Sequence, residues 1–149
     1  MDIKLGGKYP SSALSNLATH HFVFDGVECH SMEGFLQGIK FKDVNMQIEI
    51  CKLTGKGAKK AGAKKKWQKT QTLWWKGKPI KRESDEYQAL LDGAYEALFT
   101  QNKKAAKALL ATQNANLTHS LGRRKMSETV LTKQEFCSRL MNMRDRLKG

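Results

Sequence analysis

Ser31-Met-Glu-Gly-Phe-Leu-Gln-Gly-Ile-Lys-Phe41 is the stretch on which the reading of this chain turns. At about 100° per residue, Met32, Phe35, Leu36 and Ile39 share one helical sector, and Glu33, Gln37 and Lys40 share the adjacent one. A carboxylate, an amide and an amine then stand beside an apolar stripe, at the edge of a core. Spacing alone favours an ordinary solvated polar face, so the flanking residues must decide. Ser31 is placed to N-cap the helix, and Glu33 in the first turn is favoured by the helix dipole. That dipole stabilises the ionised carboxylate. An acid role near neutral pH therefore requires burial or a second carboxylate to act against it.

Upstream, His21-Phe-Val-Phe-Asp-Gly-Val-Glu-Cys29 reads as two short strands joined by Asp25-Gly26, a dipeptide that tolerates the positive φ of a two-residue hairpin. Downstream, Val44, Met46, Ile48 and Ile50 alternate as in a strand. Asn45 as a cap and Gly55 as a stop nevertheless favour a helix over residues 44–53. Residues 56–66 read as a basic helix weakened at Gly57 and Gly62, each costing about 1 kcal/mol relative to alanine. Thr72–Trp75, Lys76-Gly77 and Lys78–Ile80 form a second hairpin or an irregular arm.

After Ser84, a long helix places Tyr87, Leu90, Leu91, Ala94, Leu98 and Phe99 on one stripe and forms the centre of the core. A further helix over 103–111 turns Ala106, Leu109 and Leu110 inward. The polar stretch 112–131 is a long loop of the kind that often carries function. Thr132 and Glu135 make a capping box for a last helix, with Phe136, Leu140, Met143 and Leu147 along its apolar face.

At 149 residues, one domain over 1–149 is expected, large enough to bury a core without disulfides or metal. No apolar run is long enough for a bilayer and the N-terminus does not resemble a secretory signal, which points to a cytoplasmic protein without a membrane partner. Cys29, Cys51 and Cys137 lack a Cys-x-x-Cys pair, and His20, His21, His30 and His119 lack ligand spacing. Reduced thiols and no metal are the expectation. The net charge of +13 is concentrated: residues 51–82 hold twelve Lys/Arg and no acid. Trp67, Trp74 and Trp75 are interleaved there, so cation and stacking surface can meet one anionic ligand, nucleotide or nucleic acid. The alternative is a lysine-rich solvated face whose tryptophans belong to the core.

Leu14-Ser-Asn-Leu17, the Asp25-Gly26 hairpin and Met32-Glu-Gly-Phe-Leu-Gln-Gly-Ile-Lys-Phe41 together resemble the NADAR family, also called YbiA-like. The family pattern is Ser-Asn-Phe, an Asp-Gly hairpin, then Glu-His-x-x-Gln-x-x-Lys-Phe. The resemblance continues through Leu91-Asp-Gly-Ala-Tyr-Glu-Ala-Leu-Phe99, Leu109-Leu-Ala-Thr112 and Arg139-Leu-Met-Asn-Met-Arg144, and so covers most of the chain. Gly34 stands where the family commonly has His, and Thr118-His-Ser-Leu-Gly122 replaces a later Asp-x-x-Trp-Gly segment. These departures mark a divergent branch, of a kind met in viral as well as cellular genomes.

The resemblance implies an α+β, predominantly helical, YbiA-like domain with a short N-terminal β-hairpin. It implies an N-glycosidase without cofactor that cleaves a bond between a ribose carbon and nitrogen. Family substrates are phosphorylated ribosylamino intermediates of riboflavin synthesis, or ADP-ribose on modified guanine in nucleic acid. The basic segment favours the second. Carried over residue by residue, Glu33 is the acid/base, while Lys40 either anchors phosphate or attacks ring-opened ribose as a Schiff-base nucleophile. Asn16 and Gln37 would bond ribose or base edges, Asp92 would be a second carboxylate, Trp74 and Trp75 would stack, and His119 and Ser120 would line the far side. A non-catalytic nucleic-acid or nucleotide-binding module is the competing reading from another class. No protein partner emerges from the residues.

Overall fold

Asp25 and Gly26 adopt φ of 50° and 76°, and Lys76 and Gly77 adopt 52° and 83°. Both pairs accordingly close tight two-residue hairpins whose twist matches that of the strands they join. The computed structural model describes Met1–Gly149. Its elements run α1 (Ser11–Leu14), β1 (Phe22–Phe24), β2 (Val27–Cys29), α2 (Met32–Gly38), α3 (Val44–Cys51), α4 (Gly55–Ala61), a 3-10 turn (Trp67–Lys69), β3 (Thr72–Trp75), β4 (Lys78–Lys81), α5 (Asp85–Gln101), α6 (Lys103–Ala111) and α7 (Lys133–Lys148). Each hairpin is its own antiparallel sheet: Phe22 faces Cys29 in β1–β2, and Thr72 faces Lys81 in β3–β4. This is the helical α+β architecture expected from the sequence.

The core is built around α5, whose Tyr87, Leu90, Leu91, Ala94, Tyr95, Leu98 and Phe99 are all buried. Ser84 caps it by accepting from the Tyr87 N–H. β1 lies along α5, where the absence of a side chain at Gly93 admits the Phe24 ring; a Cβ there would sit 2.7 Å from it. Gln101 at the end of α5 bonds both the N–H and the carbonyl of Val23, which covers part of the edge of β1. Each fully buried large apolar side chain contributes about 1.5–3 kcal/mol.

Helix α2 enters this core through a junction that also finishes α3. The last carbonyls of α3 lack helical partners. His30 N–H donates to Cys51 O, and the Ser31 hydroxyl donates to Leu53 O while accepting from Gly34 N–H. The two helices then meet so closely that a Cβ on Gly34 would lie 2.8 Å from both Cys51 O and Leu53 O. Position 34 has no room for a side chain, because backbone occupies the space one would need. Gly34→Ala is expected to cost about 1–3 kcal/mol, read as a fall in thermal midpoint.

Three local expectations are corrected. The Val44 helix is capped by Asp43, which accepts from Met46 N–H, rather than by Asn45. Its strand-like alternation comes from exposing Val44 and Met46 and burying Gln47, Ile50 and Cys51. The basic helix spans only Gly55–Ala61 and ends at Gly62, where the chain packs on α2. In α6, Ala105, Ala108 and Leu109 face inward while Ala106 is half-buried and Leu110 is 38% exposed. Contacts with α1, α5 and α7 choose the smaller alanine face there, and propensity alone does not.

Candidate active site

The Ser15-Asn16-Leu17 turn is tied to the first turn of α2 by a hydrogen bond from Glu33 N–H to Asn16 O, at 2.9 Å. This brings the Asn16 and Glu33 side chains to one cavity of about 370 Å³, which Lys4, Lys59, His119 and Leu121 also line. Its size falls within the range of small-molecule sites. Glu33 is the only acid among its lining residues.

The cavity groups are oriented from behind. Asn16 Oδ1 accepts from the Tyr95 hydroxyl at 2.8 Å, so the amide Nδ2 is the side that remains to donate. Burial pushes Tyr95 well above the usual phenol range, assisted by the nearby Glu33 charge and opposed by Arg139. The hydroxyl therefore remains a donor. His119 Nδ1 lies 2.8 Å from Ile3 O; because a carbonyl can only accept, Nδ1 carries the proton and Nε2 is the remaining basic nitrogen. Its ring rests edge-on against Phe136.

Gln37, one turn along α2, donates to Glu33 Oε2 at 2.6 Å. Its own Oε1 is buried without a protein partner. The helix expected to run to Phe41 stops at Gly38, so Lys40 follows in the turn beyond α2, half-buried, with its ammonium 3.4 Å from Gly62 O. Burial pushes the Lys40 ammonium below its ordinary value, and the Glu33 carboxylate pulls in the opposite direction. Acid and amine thus share an electrostatic neighbourhood. The open cavity reaches Glu33 but not Lys40, which Gly62 covers. A Cβ on Gly62 would overlap Gln37 Oε1 and lie 3.0 Å from Lys40 Cδ.

The remaining candidates lie elsewhere. Trp75 is buried, packed at a tilt against Phe24 and Phe35 with its indole N–H on Asp25 Oδ2, and offers no face to a ligand. Trp74 is half-buried beneath Lys42, at the far end of α2 from Glu33. Asp92 points to a different groove and pairs with Arg139 at 2.9 Å. Ser120 spends both its N–H and hydroxyl on the Asp2 carboxylate, which these bonds hold below the usual range. Period and composition place a side chain on a helix; they do not say which neighbour covers it.

A family model of bacteriophage protein GP30.3 matches residues 8–145. Over 150 residues the chain is also 39% identical to an uncharacterized 17.1 kDa protein in the Gp30-rIII intergenic region of Enterobacteria phage T4, covering 99% of this chain and 98% of that protein. The chain belongs to the bacteriophage GP30.3 family. Among solved structures, the NMR structure of the Escherichia coli protein YbiA superposes with a TM-score of 0.62 at 20% identity, over 93% of this chain and 79% of YbiA. The GP30.3-family protein therefore has the YbiA fold that its N-terminal motifs led us to expect.

Four elements of the GP30.3-family site were not read from its sequence. Lys4 and Lys59 enter the cavity from the N-terminal segment and α4, far from the cassette in sequence. Gly62 is legible in the sequence only as a weak point in a helix. Gln47 is buried and donates from Nε2 to Gly38 O and Trp74 O, while its Oε1 accepts from Lys76 N–H. It fastens the end of α2 to the second hairpin. With Trp74 N–H on Ile39 O at 2.7 Å, this sets the backbone that carries Lys40.

Proposed function

We propose that this chain is an N-glycosidase that hydrolyses a ribosyl carbon–nitrogen bond, with ADP-ribose on guanine in nucleic acid or nucleosides as its substrate class. The observation that carries the reading is the Glu33 carboxylate at a cavity whose charged side chains are otherwise lysines, Lys4 and Lys59. The YbiA fold adds support. Cleavage builds positive charge at the anomeric carbon while the departing amine needs a proton. Glu33 is in place to stabilise that charge as a carboxylate or to supply the proton as an acid. Lys4 and Lys59 suit the pyrophosphate, and Asn16 Nδ2 suits a ribose hydroxyl or a base edge.

Lys40 acts as a nucleophile in this scheme. Once the ribose ring opens, the neutral amine adds to the anomeric carbon, the base leaves with its amino group and a proton, and an imine joins Lys40 to the sugar. Water then hydrolyses the imine, regenerating the amine and releasing the sugar, which closes again. The reaction requires the Gly62 turn to move off Lys40. The lowered Lys40 pKa supports the scheme, because it enlarges the neutral fraction near physiological pH.

The test is turnover of an ADP-ribosylated guanine oligonucleotide beside a phosphorylated ribosylamino pyrimidine, with borohydride added during the reaction. Release of ADP-ribose and a sugar adduct on wild type but not on Lys40→Met is the expected result. The rate should rise with pH up to the lowered Lys40 value, since the free amine is the reactive form. A Lys40 that only anchors phosphate would give the reverse slope. The folded protein holds this proton less tightly than the unfolded chain, so Lys40→Met should melt no lower than wild type at neutral pH. Absence of product from both substrates would remove the proposal, and turnover of the ribosylamino pyrimidine alone would reassign the substrate class.

A further inference from the structure

Beyond the Glu33 cavity, a second groove of about 560 Å³ opens where α2 runs into α3, lined by Phe41, Lys42, Asp43, Met46 and Lys65. Phe41 directly follows Lys40. It lies in the connection between the end of α2 at Gly38 and the start of α3 at Val44. Met46 at the rim is 49% exposed, beside Val44 at 42%. The Lys65 ammonium lies 5.0 Å from the Phe41 ring centroid, and the Lys42 ammonium 5.3 Å from that of Trp74. Asp43, the single acid, is engaged in capping α3 through Met46 N–H. The wall that supplies Lys65 belongs to the acid-free stretch 51–82, whose Lys64 and Lys66 are also exposed.

We infer that this groove is a strand-binding subsite for single-stranded nucleic acid, in which a base stacks on Phe41 and Lys42 and Lys65 hold the phosphates beside it. An apolar floor with an aromatic ring, under two lysines that outnumber the one carboxylate of Asp43, is the combination that binds bases and phosphates without reading sequence. The cations already seated over rings would turn to phosphate when a base takes their place. The inference rests on the proposed reading only for what occupies the neighbouring cavity. With a modified base at Glu33, the adjoining nucleotides would run past Lys40 onto Phe41, which would favour strands over free nucleosides.

The experiment measures binding of an unmodified fluorescent oligothymidylate, and of an abasic strand of equal length, to wild type, Phe41→Leu and Lys65→Gln across a salt series. Neither residue lines the Glu33 cavity, and both changes conserve bulk at the surface. Wild type is expected to prefer the base-bearing strand by about tenfold, with Phe41→Leu losing that preference. Lys65→Gln should weaken both strands and flatten the slope of log K against log salt by about 0.7. Turnover of a modified mononucleoside should be unchanged in both variants. Equal binding of abasic and base-bearing strands, equal competition by heparin, or variants that bind like wild type would overturn the inference. Because this binding needs no reaction, its loss is distinguishable from a failure of the glycosidase assignment.

Discussion

Glu33→Gln is expected to lower release of ADP-ribose from modified guanine by about 100-fold or more, the usual contribution of a positioned acid or base. The substitution keeps shape and lets the Gln37 amide continue to donate to the side-chain oxygen at position 33. The Glu33 N–H bond to Asn16 O belongs to the backbone and persists. Binding of the modified oligonucleotide should therefore survive while kcat falls, with a thermal midpoint near that of wild type. A variant that turns over normally would show that the carboxylate is not the reacting group, and the cavity would then serve binding alone.

Arg82→Met is expected to produce the largest loss of stability. Arg82 is fully buried, pairs twice with Glu135 at 2.6 and 3.1 Å, donates from Nε to Thr129 O and lies over the Tyr87 ring. Removing it leaves a buried carboxylate without its cation, which costs about 3–5 kcal/mol. For a chain of this size that lowers the thermal midpoint by about 6–20 °C. The double variant Arg82→Met with Glu135→Leu should recover part of the loss, because no charge is then stranded; it still lacks the Glu135 arm of the α7 capping box. No recovery would mean that the arginine acts by packing and not through its charge.

Glu135 also sets an acid limit. Burial, the largest influence, pushes its carboxyl up, but hydrogen bonds from Arg82, Gln88 and the Thr132 N–H together with the Arg82 charge outweigh it, so the net value lies below the ordinary one. A depressed folded value means that the stabilisation is complete above the unfolded glutamate value and is lost as pH falls through the folded one. Denaturant midpoints should thus decline on acidification below about pH 4, and Arg82→Met should show a shallower decline. An unchanged pH dependence in that variant would separate the ion pair from acid unfolding.

The helices of this protein were legible because each carries its own local chemistry. Ser31, Ser84 and Thr132 sit before apolar stripes of helical period, and all three act as caps. The Asp25-Gly26 hairpin was legible for the same reason, since positive φ is a property of two residues. Lys76-Gly77 left a hairpin and an irregular arm both open until the structure showed the hairpin. The cassette likewise put Glu33, Gln37 and Lys40 on one face, where Gln37 does reach Glu33. The misread residues share one trait: their surroundings come from distant chain. Trp75 reads like an exposed platform among lysines until Phe24, Phe35 and Asp25 close over it. Asp92 and Ser120 are drawn to Arg139 and Asp2, the latter 118 residues away.

Helix positions, turn types, the helical α+β class and the charge imbalance thus follow from residues within a few places of one another, where backbone geometry and capping are local. Which charged groups face the cavity, why position 34 is glycine, that Gly62 covers Lys40, and that Arg82 is sealed against Glu135 depend on segments meeting across the fold. Periodicity records only which side of an element is apolar. The neighbour that occupies the space on the other side is chosen when the whole chain packs.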